Sequence, residues 1–106
     1  NPNYRPIRAS SFEPGSSLSY KQNIEPVDYS VLPIIDKLGV VSYNLNSDVD
    51  AGIYHNKQIG VIAELSPEVA TSDGKAINLY KLATLNTKAI QELHAKINEL
   101  EAIVHG

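Results

Sequence analysis

The hydrophobic pattern is clearest over residues 78–104, NLYKLATLNTKAIQELHAKINELEAIV, where apolar positions recur at alternating spacings of three and four. Leu79, Ala83, Asn86, Ile90, Leu93, Ile97, Leu100 and Val104 form one seam. Ala83, Ile90, Ile97 and Val104 take the a positions of a heptad, and Leu79, Asn86, Leu93 and Leu100 take d. The stretch holds no Gly or Pro and is rich in Ala, Leu, Glu, Lys and Gln, so it predicts one helix of ~40 Å. Two arrangements suit so narrow a seam: closing the chain's own core, or pairing with copies of itself. Self-association is favoured, because the rest of the chain offers little for so long a helix to pack on. Lys96 at g and Glu101 at the following e are placed for an ion pair between chains. Asn86 puts a polar layer in the seam, which sets register at some cost in stability.

Upstream the pattern is shorter in range. Residues 1–15, NPNYRPIRASSFEPG, alternate weakly around Tyr4, Ile7 and Phe12, interrupted by Pro2, Pro6 and Pro14. They read as an edge-type strand or linker that ends an upstream domain. Gly15 marks a break before the serine-rich SSLSYKQNI. Asp28 or Ser30 can cap a short helix whose buried face is Val31, Leu32, Ile34, Ile35 and Leu38, with Pro33 in its first turn and Gly39 at its end. Residues 40–45 (VVSYNL) predict a strand, 46–57 a polar loop, and 58–65 (QIGVIAEL) a second strand. Ser66-Pro67-Glu68 starts a short helix, with Ser66 as cap and Pro67 at the first helical position. Asp73-Gly74 is a turn joining two short strands, residues 69–71 and 75–77, and Asn78 caps the long helix. The expected class is α+β, a small mixed head of short strands and helices from which the long helix projects.

Composition narrows this picture. A chain of 106 residues allows one domain at most. It has no Met and begins NPNYRPIR, which reads as a piece cut from a longer protein. Nothing resembles a signal peptide or a membrane span. With no Cys there is no disulfide framework, thiolate metal site or cysteine nucleophile. The net charge of -3 and the lack of a basic patch argue against a nucleic-acid partner. Setting the first fifteen residues and the helix aside leaves roughly 60 residues, a marginal core on its own. Oligomerisation is the expected remedy.

Few residues suggest chemistry. Asn44, Asn46, Asp48 and Asp50 alternate like the ligands of a calcium loop, but an EF-hand needs Gly at position six and Glu at twelve. Counted from Asn44 those positions are Val49 and His55; counted from Asn46 they are Ala51 and Lys57. A solvated hairpin loop is the better reading. His55, His94 and His105 have no metal-site spacing with nearby carboxylates and are taken as surface residues, so no metal and no cofactor is expected. Gly74-Lys75-Ala76 lacks the rest of a phosphate loop. Ser16 and Lys21 remain. A lysine serves as base for a serine nucleophile where burial or a neighbouring cation leaves it neutral, yet a Ser five residues before a Lys is by itself a chance spacing.

An ordered set of short motifs changes the weight of that pair. The run from Ser16 to Ile24, SSLSYKQNI, then GVVSYNL, QIGVIAEL with Pro67-Glu68-Val69, Gly74-Lys75-Ala76 and Ala89-Ile90-Gln91-Glu92-Leu93 resembles the C-terminal intramolecular chaperone domain of phage tailspikes and tail fibres. This is the endosialidase-type, self-cleaving S74 peptidase family, and the resemblance spans Ser16 to about Leu100. It divides the chain into residues 1–15, the end of a fibre stalk, and 16–106, the chaperone domain. It implies a domain that trimerises the stalk before it and then releases itself by cutting Gly15–Ser16, with Ser16 as nucleophile and Lys21 as base. The implied partners are two further copies and the upstream stalk of the same polypeptide, with no nucleic acid and no membrane. The implied setting is the host cytoplasm during virion assembly, the domain being absent from the mature fibre. Ser17 and Ser19 stand where the family often carries Asp and Arg.

The chemistry is consistent with these residue types. A serine hydroxyl attacking the preceding carbonyl forms an ester by N-to-O shift, which water then hydrolyses; attack by a Lys21-activated water or by a different serine fits the same residues. Gly15 crowds the attacked carbonyl least. Five residues apart is ~16 Å on a strand and ~7.5 Å along a helix, and neither gives a hydrogen bond. Either a tight turn folds Lys21 back onto Ser16, or the lysine comes from another chain. Ile at a with Leu at d is the parallel-dimer pattern, whereas the resemblance implies a trimer, with Ala83, Asn86 and the head overriding that preference. The alternative function is a permanent oligomerisation module that never cuts.

Overall fold

A helix of 27 residues dominates the computed structural model, which describes residues 17–105. In chain order the elements are α1 (Leu32–Lys37), β1 (Val40–Tyr43), α2 (Asn46–Asp50), β2 (Gln58–Val61) and α3 (Leu79–His105), with single 3-10 turns at Leu18–Tyr20 and Ala63–Leu65. The class is α+β, as the pattern requires. The expected stalk strand, residues 1–15, and Ser16 lie outside the described residues.

The head is built on an antiparallel pair, β1 against β2, in the register Val40↔Val61, Val41↔Gly60, Ser42↔Ile59 and Tyr43↔Gln58. Val41 and Tyr43 turn partly inward, while Val40 and Ile59 are exposed. A Cβ on Gly60 would approach the Tyr43 ring to 3.3 Å, so the bare glycine backbone is what lets that ring lie across the neighbouring strand. Both strands are shorter than the sequence suggests. The second gives way at Ala63, which is buried, to a 3-10 turn; a run of apolar residues cannot by itself distinguish a strand from such a turn.

The connection between the strands is not a plain loop. Residues 46–50 form α2, which closes on Gly52 at φ 76°. Its carbonyl and carboxylate are both used: the Asp48 carbonyl accepts from the Ile53 amide (2.8 Å), and Asp48 Oδ2 accepts from Asn56 Nδ2 (3.1 Å). Asn44 Nδ2 donates to the Tyr54 carbonyl across the base of the connection (3.2 Å). Two of the alternating residues, Asn44 and Asp48, thus help hold a folded connection together through their side chains.

Two further expectations change. Ser66-Pro67-Glu68 makes one turn, closed by the Val69 amide on the Ser66 carbonyl (3.1 Å), and does not continue as a helix. Ser66 Oγ does not cap it; it is buried with no hydrogen-bond partner among the described residues. The hairpin at Asp73-Gly74 is present but reduced to a single bridge, Ala70↔Ile77, flanked by Thr71 N–H to the Ala76 carbonyl (2.8 Å) and Asn78 N–H to the Val69 carbonyl (2.7 Å). Gly74 supplies φ 75° for its turn. Asp73 Oδ1 accepts from Thr71 Oγ1 (2.6 Å) and from the Lys75 amide (3.0 Å), which together hold its carboxyl below the usual carboxylate range.

α1 begins after Ser30, whose Oγ accepts from the Leu32 amide (3.2 Å), with Pro33 in the first turn. It stops at Lys37, and Leu38 is already extended, so Gly39 is not used as a left-handed stop. α3 begins as the sequence requires, with Asn78 Oδ1 accepting from the Lys81 amide (2.9 Å). α1 packs against α3. Among the described residues the buried apolar side chains are Val31, Ala63, Val69 and Ala89, so the core is small, drawn from the start of α1, the turns that follow β2 and the first half of α3.

Candidate functional site

α3 carries two faces, and the head covers one of them. Leu82, Leu85, Ala89 and Glu92, spaced three and four apart, turn toward the head; Ala89 is buried and the others are half-buried. The heptad seam lies about 90° around the helix from that stripe, at 100° per residue. Each of its eight members, Leu79, Ala83, Asn86, Ile90, Leu93, Ile97, Leu100 and Val104, is exposed. The exposure is large where it matters: 66% at Ile90 and 75% at Val104. From Leu93 to His105 every residue of α3 is exposed, over about 20 Å of helix. A helix end of this length has marginal stability alone in water, and the seam along it is a strip of exposed apolar side chains. Lys96 and Glu101 are exposed on its flank, and His55, His94 and His105 are exposed as well.

Glu92 joins this helix to the N-terminal segment. Its Oε1 accepts from Ser30 Oγ and its Oε2 from the Val31 amide (2.8 Å), and Lys88 Nζ stands 3.7 Å from Oε2, one helical turn away. The Ser30 hydroxyl, then the Val31 amide, hold the Glu92 carboxyl below the ordinary glutamate value; slight desolvation opposes them and Lys88 adds to them. Val31 is 1% exposed, the first buried residue of the described chain.

Before that anchor, residues 17–30 are all exposed. Ser17 Oγ accepts from the Ser19 amide (3.1 Å), which caps the 3-10 turn, and the Lys21 amide closes it on the Leu18 carbonyl (3.1 Å). The segment then runs extended from Lys21, with Asn23 at φ 54°, a conformation Asn accepts more readily than most residues. Leu18, Tyr20, Ile24, Val27 and Tyr29 present apolar side chains to solvent along it. The expected nucleophile Ser16 and the expected cut at Gly15–Ser16 lie outside the described residues. Lys21 is described and exposed, on the far side of the tight turn that begins at Ser17.

Sequence reasoning missed Glu92. The signal was available in part, because Leu82, Leu85 and Ala89 make a second helical stripe beside the heptad, and Glu92 continues it by spacing alone. Its two donors, Ser30 and Val31, could not be read from the chain. Among the described residues no His, Asp or Glu side chains cluster as metal ligands, and no helix is long and apolar enough to cross a membrane.

Comparison with known proteins adds one finding. A family model described as chaperone of endosialidase matches residues 16–75, more than half of the chain, from the expected nucleophile through the Asp73-Gly74 turn and ending before α3. No curated protein and no solved structure gives a significant match.

Proposed function

This chain belongs to the chaperone-of-endosialidase family, and from that premise we propose that it is an intramolecular chaperone. In this reading it trimerises the phage tail fibre or tailspike that precedes it and then frees itself by one self-cleavage at Gly15–Ser16. The observation that carries the reading is the bare seam of α3. Leu79, Ile90, Leu93, Ile97, Leu100 and Val104 stand in solvent in the single chain, on a helix whose other stripe is already docked. Three copies zipped along this seam form a parallel coiled coil that brings three heads, and the three chains leading into them, to one axis.

The cut then proceeds in two steps. Ser16 Oγ attacks the Gly15 carbonyl carbon as Lys21 Nζ, neutral, takes the hydroxyl proton. The Gly15–Ser16 C–N bond breaks as that proton passes to the departing Ser16 amine, leaving an ester between the Gly15 carbonyl and Ser16 Oγ. Water hydrolyses the ester, giving a Gly15 carboxylate on the stalk and a free Ser16 amine and hydroxyl on the released domain. A lysine does this work only where burial or a nearby cation disfavours its charged form. The single chain leaves Lys21 exposed. Packing against neighbouring copies supplies the missing burial, so the cut follows assembly and reports it.

The test is the mass of the expressed chain, followed while it is diluted. The expected products start at Ser16, appear only at concentrations where trimer sediments, and vanish in Ser16→Ala and Lys21→Ala, which stay trimeric at full length. Cutting at the normal rate in Lys21→Ala would remove the dyad, and cutting in a proven monomer would remove the dependence on assembly. The second reading, a permanent oligomerisation module, is favoured by a seam that is complete without any catalytic group. A trimer that keeps its full length at every concentration would establish it.

A further inference from the structure

We infer that Glu92 is a positioning residue for the self-cleavage proposed above, fixing the root of the arm that carries Ser16 and Lys21 to the helix that assembles. The inference rests on that reading. Residues 17–30 are exposed throughout, and at the root of the arm Ser30 and Val31 engage both oxygens of Glu92. Lys88, 3.7 Å away, holds the same carboxylate from within the helix. Glu92 is flanked in sequence by Ile90 and Leu93, two exposed members of the seam. A helix moves as a rigid rod over one turn. When Ile90 and Leu93 pack against neighbouring copies, the rotation of α3 is set, and with it the place of the Glu92 carboxylate relative to those neighbours.

The geometry turns this into a rate. Lys21 lies ten residues before Val31, a reach of up to ~35 Å for an extended chain. An arm rooted at a fixed point beside the seam crosses the same neighbouring surface in every copy. An arm released at residue 30 searches a much larger volume, and reacting groups that are not held together lose the advantage of proximity. Seam packing and scission are then joined by one side chain that takes no part in the bond-breaking.

The experiment uses the full chain, kept at a concentration where sedimentation shows complete assembly. First-order self-cleavage is timed for wild type, Glu92→Ala, Glu92→Gln and Ser30→Ala, and amide exchange is measured at Val31. Glu92→Ala is expected to stay assembled, to cut about tenfold more slowly, and to exchange faster at Val31. Glu92→Gln keeps an oxygen acceptor for the Val31 amide and is expected to recover to within about threefold of wild type. An assembled Glu92→Ala chain that cuts at the wild-type rate would overturn the role, and so would Glu92→Gln as slow as Glu92→Ala. If Glu92→Ala fails to assemble, Ser30→Ala removes one donor without touching α3, and its unchanged rate overturns the role equally. A wild-type chain that assembles and stays uncut removes the cleavage reading and this role together, whereas normal cutting in assembled Glu92→Ala and Ser30→Ala removes this role alone.

Discussion

The Glu92 carboxylate holds the start of α1 to α3 more strongly when it is ionised, which makes the contact dependent on pH. Ser30 and Val31 hold its pKa below the ordinary glutamate value, so the unfolded chain binds that proton at a higher pH than the folded one. The contribution is therefore full above the ordinary value and is lost as pH falls through the lowered one. The thermal midpoint of wild type is expected to drop as pH falls below the ordinary glutamate value. Glu92→Gln should flatten that limb without abolishing it, because Asp73 is shifted in the same direction. An identical acid limb in the variant would show that Glu92 contributes nothing to it. Ser66 gives the opposite expectation. The residue is 1% exposed and its hydroxyl is unpartnered among the described residues, and an orphaned buried hydroxyl costs about 1–3 kcal/mol. Ser66→Ala is expected to raise stability by about 1 kcal/mol in denaturant titration; a loss would reveal a bond the hydroxyl makes. Neither residue could be assigned its part from sequence. Glu92 meets Ser30 across 62 positions, and Ser66 looked like a helix cap because Ser-Pro-Glu is a common helix start.

At the level of elements, α3 was the most legible part of the chain, since a heptad repeat, an Asn cap and the absence of Gly and Pro are all local. Ile90→Asp with Leu93→Asp places two charges in the centre of the seam and none on the stripe that meets the head. The double variant is expected to sediment as monomer and to lose helical signal from the exposed end of α3, as an unsupported helix of about 13 residues frays. An assembled, fully helical variant would mean that the copies meet elsewhere. α2 was not legible, because five residues with one apolar side chain, Val49, carry no helical period. The second strand was read too long for the converse reason: QIGVIAEL is apolar through the point where the backbone turns at Ala63. The hairpin around Gly74 was read at the right turn, yet pairs over one bridge, since Thr71 and Asp73 spend their side chains within the turn itself.

For the whole molecule, the balance is between a small core and a large uncovered seam. Burying Leu79, Ile90, Leu93, Ile97, Leu100 and Val104 between copies is worth on the order of 5–10 kcal/mol per chain, an upper estimate from their transfer free energies. That equals the entire stability of many small domains, so in the proposed trimer assembly and folding are parts of one equilibrium. The sequence by itself determined the class, the long helix with its cap and seam, the family, and the two residue types expected to cut. Those features are written in neighbouring positions, where periodicity and turn chemistry act over a few residues. Only the tertiary structure decided which face of α3 the head covers and leaves bare, where the N-terminal arm is anchored, and that a glutamate beside the seam does the anchoring. Those depend on which distant segments meet, and a hydrogen bond between residues far apart leaves no local pattern along the chain.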